Sequence, residues 1–166
     1  AARELAEVSA LGLKQELVGP VGELNLYALH PRGRILLVPT TLKGLFRQLA
    51  AALASGNDVV IDTTAGLETA LTALPASVAA RLSWRSDWDA AGPFAGALVE
   101  GDEARVRQVN GRIAQLNGPL VLVQAATTEE LSRDPGAYCL NWLLEEVSTS
   151  INTAAAGGNA SLMTIG

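Results

Sequence analysis

Few residues in this chain have both the type and the company that chemistry requires. The one cysteine, Cys139, stands in the run Ala137-Tyr138-Cys139-Leu140. A nucleophilic thiol needs a lowered pKa, supplied by a helix N-terminus or a basic neighbour, and the surrounding sequence offers neither. A packed, buried thiol is the expected role, since free cysteine behaves as a small hydrophobe. The one histidine, His30, has no paired cysteine near it and reads as a turn residue rather than a base or ligand. Asp87 and Asp89 flank Trp88. Two carboxylates with no tuned surroundings do no acid–base work, so a solvated loop is expected there. No G-x-G-x-x-G follows any apolar run. The residues point away from catalysis by this chain, and no metal or cofactor ligand set stands out.

The composition says what carries these residues. A chain of 166 residues, 49% hydrophobic and 17% charged, is long enough for one domain with a sizeable core. Only 4% of residues are aromatic, so Ala, Leu and Val must fill that core. The net charge of −5, with no clustered Lys/Arg stripe, argues against nucleic acid as a partner, because phosphate binding needs such a cluster. One cysteine excludes an internal disulfide. No apolar run reaches the length of a membrane span and none has a signal-peptide layout, so a cytoplasmic location is expected. The chain opens inside an amphipathic pattern without an initiator Met, as expected of a piece of something longer.

The periodicities predict a leading helix over residues 1–17, from Leu5, Val8, Leu13 and Leu17, stopped by Gly19-Pro20. A short strand at 24–29 and a turn at Pro31-Arg32-Gly33 follow. Ile35-Leu36-Leu37-Val38 is a continuous apolar run, which fits a strand covered on both faces. Thr40 or Thr41 caps a helix to about residue 54, and 57–62 is a second buried strand. Thr63 and Thr64 are expected to cap a helix through residue 71. Residues 83–85 fit either a strand or a loop. A strand at 96–100, a helix capped by Asp102, a strand at 120–124 and a short turn capped by Thr127 come next. A long strand at 140–151, with a bulge, feeds the terminus. This alternation predicts an α/β fold, a Rossmann-like and mostly parallel sheet with helices on both faces, plus a C-terminal β-flap and tail. The expected parts are a leading helix (1–18), the Rossmann-like body (19–139), and the flap with its tail (140–166).

Two stretches suggest surfaces rather than chemistry. In the predicted helix at 42–54, Leu42, Leu45, Phe46 and Leu49 recur at helical spacing beside Lys43 and Arg47. That pattern fits an interfacial membrane helix, and equally the stripe that any Rossmann helix turns to its own sheet. At the other end, Val147, Thr149 and Ile151 alternate with polar residues as in a strand. A run of small residues around Gly157 and Gly158 follows, and the chain closes on Leu162, Met163 and Ile165. Such a tail has almost nothing with which to pack itself, which fits either a segment that docks on a partner or an ordinary strand followed by a disordered end. Gly would let backbones approach closely there. The expected docking residues are Ser150, Asn152 and Thr153 in the strand and its exit, then Gly157, Gly158, Asn159, Ser161, Leu162, Met163 and Ile165.

Residues 31–61, with the turn Pro31-Arg32-Gly33 and the run L-A-S-G-N-D-V-V at 53–60, are similar to the first Rossmann segment of the aldehyde dehydrogenase superfamily. The run S-I-N-T-A-A-A-G-G-N-A-S-L-M-T-I-G at 150–166 resembles the C-terminal motif of long-form proline utilization A proteins, as do G-P-V-G-E at 19–23 and N-L-Y at 25–27. The resemblance implies a parent enzyme that oxidises proline to glutamate, with an FAD-dependent proline dehydrogenase and an NAD-dependent L-glutamate γ-semialdehyde dehydrogenase. It implies that this segment is the non-catalytic extra domain. Its flap and tail would dock on the catalytic aldehyde dehydrogenase domain of the same parent chain and close a channelling cavity. The alternative reading is peripheral contact of the parent with the inner face of a bacterial membrane. An exposed strand edge invites pairing, so a homo-oligomer or a strand or tail swap between copies is a further expectation for the isolated domain.

The family's catalytic motifs are altered here. The P-W-N loop, whose Asn donates to an oxyanion, corresponds to Pro39-Thr40-Thr41. The lysine that meets the adenosine ribose corresponds to Asp62, and F-T-G-S corresponds to Val99-Glu100-Gly101-Asp102. Asp102 is expected to take the helix N–H groups that would otherwise hold a pyrophosphate, with Glu100 adding like charge beside it. No cofactor is therefore expected in this domain. A small ligand in the Rossmann-like crevice remains the other reading.

Overall fold

The computed structural model describes residues 2–153. A short helix α1 (Ala2–Val8) leads into strands β1 (Lys14–Leu17), β2 (Glu23–Pro31) and β3 (Arg34–Val38). Helix α2 (Leu42–Ala54), strand β4 (Asp58–Asp62), helix α3 (Ala76–Ala79) and strands β5 (Leu82–Arg85) and β6 (Gly96–Glu100) follow. Helix α4 (Glu103–Ile113), strand β7 (Leu122–Ala126), helix α5 (Thr128–Arg133) and strand β8 (Leu144–Asn152) complete the described chain.

Five of the strands form a parallel sheet in the order β5-β4-β3-β6-β7. The chain starts at the central strand β3, builds outward to β5, then returns across β3 to add β6 and β7. This reversal puts the topological switch point between the C-terminal ends of β3 and β6, the position at which open α/β sheets bind their ligands. Strand alternation divides the core in two. Ile35, Leu37, Val59, Ile61 and Leu98 pack with α2, α5 and Tyr138 on one face. Leu36, Val38, Val60, Ala97 and Val99 pack with Trp88, Phe94 and α4 on the other. Helices cover both faces, as the continuous apolar runs require.

The remaining strands form an antiparallel sheet in the order β1-β2-β8. The predicted flap strand therefore pairs with a strand from the opposite end of the chain. The leading helix ends at Val8, and Lys14–Leu17 is strand rather than helix. Gly12, at φ +79°, turns the chain, and pairing with β2 (Glu16↔Leu26, Lys14↔Ala28) overrides the helical spacing of Leu13 and Leu17. The helix expected from Thr63 to residue 71 is instead two 3-10 turns, Thr63–Ala65 and Glu68–Leu71, separated by Gly66 at φ +64°. Residues 82–85 are strand, not loop. The strand expected from residue 140 begins at Leu144, after the 3-10 turn Leu140–Leu143. Its register with β2 runs one-to-one from Pro31↔Leu144 to Glu23↔Asn152, without the expected bulge.

Candidate functional site

At the head of the parallel sheet, three segments converge on one carboxylate. Glu100 closes β6 and is fully buried. It shares strand parity with Leu98, so it points to the α2 face. There Thr40 N–H and Thr41 N–H donate to Oε2 at 2.7 and 2.8 Å. The Thr41 and Thr128 hydroxyls donate to Oε1 at 2.8 and 2.9 Å. Thr41 is also the N-cap of α2, its Oγ1 accepting the Gly44 N–H at 3.0 Å. In an ordinary capping box the acid sits at the third helical position and reaches back to the cap N–H. Helix α5 is built that way, with Thr127 and Glu130. Helix α2 has Gly44 at that position and receives the acid from a neighbouring strand. Burial pushes the Glu100 carboxyl pKa up, but the Thr40, Thr41 and Thr128 hydrogen bonds outweigh it and hold the group below its ordinary value.

Asp62, at the end of β4, shares parity with Val60 and so lies on the α4 face. Its Oδ1 accepts from Thr64 N–H and Thr64 Oγ1 at 3.0 and 2.6 Å, and Arg105 Nη2 lies 4.0 Å from Oδ2. Asp102 caps α4, its Oδ1 accepting the Arg105 N–H at 2.9 Å. The expected occupation of α4 by Asp102 holds. Glu100 serves α2 instead of crowding α4. Three carboxylates thus lie at the head of the sheet: Glu100 accepts the Thr40 and Thr41 N–H groups ahead of α2, and Asp102 accepts one N–H in the first turn of α4. Among the described residues, no group of three or more His, Cys, Asp and Glu side chains could hold a metal ion.

The second feature is the flap. Strand β8 lies at the edge of its sheet, and every residue from Ser148 to Asn152 is exposed. Ser150 and Asn152 pair with Asn25 and Glu23, and Thr153 N–H donates to the Gly22 carbonyl at 2.7 Å. Leu24, Leu26, Ala28, Val147 and Ile151 share one face of this sheet by register. The root of the flap is fixed by the buried side chain of Asn57. Its Oδ1 accepts from Gly33 N–H at 2.8 Å, and its Nδ2 donates to the carbonyls of Leu143 at 2.9 Å and Ser55 at 3.3 Å. Arg32 N–H also donates to the Leu143 carbonyl. The expected docking residues Gly157, Gly158, Asn159, Ser161, Leu162, Met163 and Ile165 lie outside the described residues.

The stripe on α2 is divided. Leu45 and Leu49 are buried against the sheet, whereas Leu42 and Phe46 are half exposed. Lys43 Nζ reaches Ser132 Oγ at 3.4 Å, and Arg47 Nε reaches the Leu131 carbonyl at 3.4 Å. The six residues therefore do not form one outward face. No helix among the described residues is long and apolar enough to cross a membrane. Cys139 is exposed, not buried; its backbone is held by both ends of the Gln124 amide. His30 lies within β2, opposite Glu145, rather than in a turn. The Asp87–Asp89 segment is also more than a solvated loop. Trp88 is buried, the Arg112 guanidinium lies 3.9 Å from its ring centroid, and Asp89 chelates Arg112.

Sequence reasoning missed Gly44, Thr128 and Asn57. A glycine at the third position of a well-capped helix, where an acid is favoured, is the signal that would have found the first. Asn57 lies in the run L-A-S-G-N-D-V-V at 53–60, where nothing local assigns it a partner. Thr128 left no local sign, because its partner is a strand away.

No family model matches the chain. It is 67% identical over all 166 residues to the bifunctional protein PutA of Rhizobium meliloti, of which it spans 14%. Among solved structures, Bradyrhizobium japonicum proline utilization A superposes with a TM-score of 0.56 at 26% identity, covering 76% of this chain and 14% of that one. Staphylococcus aureus AldH superposes with a TM-score of 0.55 at 17% identity, covering 76% of this chain and 30% of that one, which shows the fold. The chain thus corresponds to a segment of proline utilization A proteins, spanning 14% of the length of the curated relative it matches at 67% identity, and its parallel-sheet body has the aldehyde dehydrogenase fold.

Proposed function

We propose that this chain is a non-catalytic docking domain of a bifunctional enzyme that oxidises proline to glutamate. In this reading the flap and residues 153–166 seat on the catalytic aldehyde dehydrogenase domain of the same parent chain, support its assembly and seal the cavity through which the intermediate passes. FAD and NAD belong to the parent's catalytic parts. The observation that carries the reading is the exposed edge of β8, whose outer backbone groups face no strand of the described chain. An edge of that kind is suited to strand addition. The carboxylates at the head of the sheet support a non-catalytic role. The division into a body (19–139) and a flap with tail (140–166) is part of the proposal, with β1 and β2 serving as the flap's support.

The test is complementation. A parent enzyme truncated before this domain is mixed with the isolated chain, and NADH production from proline is followed. Recovery that vanishes on deletion of residues 150–166 is the expected result. Failure to recover, with both pieces folded, overturns docking in trans. Gly158→Val in the full enzyme should lower aldehyde dehydrogenase activity without unfolding this domain.

A second reading, peripheral membrane contact of the parent through α2, rests on the exposed pair Leu42 and Phe46. The turn of Lys43 and Arg47 toward α5 weakens it.

A further inference from the structure

We propose that the tip of the β1–β2 hairpin is a preformed apolar knob, anchored by Val18 and Val21, that fits an apolar socket on the catalytic domain of the parent chain. The inference rests on the docking reading above and gives it a contact separate from β8 and the residues after it. Val18 and Val21 are both fully exposed, so neither packs on any part of the described chain. Single apolar residues on a surface need no explanation. Two on one turn of fixed shape do.

The turn is built rather than loose. Pro20 fixes its own φ, and the Glu23 N–H closes the turn on the Pro20 carbonyl at 3.1 Å. Gly22 stands at φ +93°, where a β-carbon is disfavoured. The Asn25 amide lies where a side chain on Gly19 would stand. The Gly22 carbonyl accepts the Thr153 N–H at 2.7 Å, which ties the tip to the end of β8. Residues 17–22 and 147–153 carry no charge, and at this end of the sheet Glu23 is the one charged residue among those described. Lys14, Glu16, Glu145 and Glu146 stand nearer the root. Depletion of charge around exposed apolar groups marks the centre of an interface, and a turn already ordered loses little entropy when it binds.

The place where the described chain ends selects the occupant. Residues 154–166 start beside the tip, because Thr153 is bonded to Gly22. To cover the tip, that segment would have to be ordered along its length, with only Leu162, Met163 and Ile165 as large apolar side chains. Burying three such side chains does not offset the ordering of so many backbones. A socket on a domain already folded avoids that cost.

A footprint tests this. Val21→Cys is made in a Cys139→Ser background, since Cys139 is itself exposed. Alkylation of this chain is followed by mass, alone and with the parent enzyme truncated before this domain. Alone, Val21→Cys should react at the rate of a free peptide thiol at every chain concentration. With truncated parent under conditions that restore NADH production from proline, it should react at least tenfold more slowly. Val18→Thr with Val21→Thr keeps the side-chain shape but adds hydroxyls that docking would bury. This double variant should unfold at the wild-type temperature and need roughly tenfold more chain for the same NADH production. Leu120→Thr, at an equally exposed site on the body, should complement as wild type does. Failure of the wild-type chain to complement overturns the docking reading and this inference together. If wild type complements while Val21→Cys keeps its free rate, or while the double variant is as potent as wild type, the inference alone is overturned. Protection without the parent overturns it too. Protection that grows with concentration assigns the tip to a second copy, and protection lost on deleting residues 154–166 assigns it to the chain's own tail.

Discussion

The Glu100 carboxylate occupies the space in which a side chain on residue 44 would stand. One residue is the end of a strand and the other the third position of a helix, and together they complete a cap that neither element makes alone. Gly44→Ala should therefore drive the carboxylate from its donors and cost about 2–4 kcal/mol, through overpacking and buried groups left unpaired. Gly111 is the control. It also lies within a helix, α4, but nothing stands within 4 Å of the position its β-carbon would take. Gly111→Ala should stabilise by about 0.5–1 kcal/mol, the usual gain of alanine over glycine in a helix. Urea denaturation of the two variants checks both signs. A Gly44→Ala variant as stable as wild type would contradict the packing described.

Acid should weaken the fold through the same residue. The folded-state pKa of Glu100 lies below its ordinary value because the threonine hydrogen bonds outweigh the effect of burial. A depressed carboxyl pKa contributes stability that is full above the unfolded-chain pKa of about 4.3 and is lost as pH falls from there through the folded value. Glu100→Gln removes that contribution. The variant should be less stable than wild type near neutrality, and the gap between them should narrow below about pH 4. Denaturation midpoints measured across that range give the comparison, and a gap that is constant with pH would assign the acid sensitivity elsewhere.

Asn57 should be the most costly polar residue to lose at the root of the flap. Asn57→Ala leaves Gly33 N–H and the Leu143 carbonyl without the side-chain partner they have now. The expected loss is about 2–4 kcal/mol. Because these contacts join the β2–β3 turn to the segment entering β8, hydrogen exchange in β8 should accelerate more than in β4. Equal acceleration in both strands would make Asn57 an ordinary core residue.

The exposed pair on α2 gives the membrane reading a direct test. Leu42→Asp with Phe46→Asp replaces two half-exposed side chains, so stability should change by less than about 1 kcal/mol. Flotation of the chain with anionic vesicles at low salt is expected to show no binding, with or without the substitutions. Binding that the double substitution abolishes would restore α2 as a membrane contact.

Much of the body was legible from runs such as Ile35-Leu36-Leu37-Val38, because a strand buried on both faces needs no alternation. The caps Asp102 and Thr127 were legible because capping is local chemistry, and the sequence narrowed the cap of α2 to Thr40 or Thr41, of which the structure uses Thr41. What escaped was set by distant partners. Lys14–Leu17 has helical spacing, yet β2 draws it into a sheet. Glu100 was read beside Asp102 because the two are neighbours in sequence, but strand parity sends its side chain to the opposite face. Parity with Leu98 was present in the sequence; that α2 lies on that face, with a glycine opposite the acid, was not. Cys139 was expected inside because cysteine usually is, and the single Gln124 amide that holds its backbone leaves the thiol facing out.

The last prediction concerns the open edge of β8. Ile151 is 43% exposed and pairs with Leu24 near the far end of the strand. An apolar residue on an edge strand gives up little when replaced in the free chain, and lysine is a residue that edges use to discourage pairing. Ile151→Lys should therefore change the stability of the isolated chain by no more than about 0.5 kcal/mol. If the strand enters a seam with the catalytic domain, the same lysine must lose its hydration there. Docking should weaken tenfold or more, the equivalent of about 1.4 kcal/mol. The complementation assay then needs a correspondingly higher concentration of the variant for the same NADH production. Thr149→Ser, which leaves the edge uncharged, should complement as wild type does. If Ile151→Lys complements at wild-type concentrations, the β8 edge is solvent-facing in the assembled enzyme, and whatever docking there is must be carried by the residues that follow Asn152.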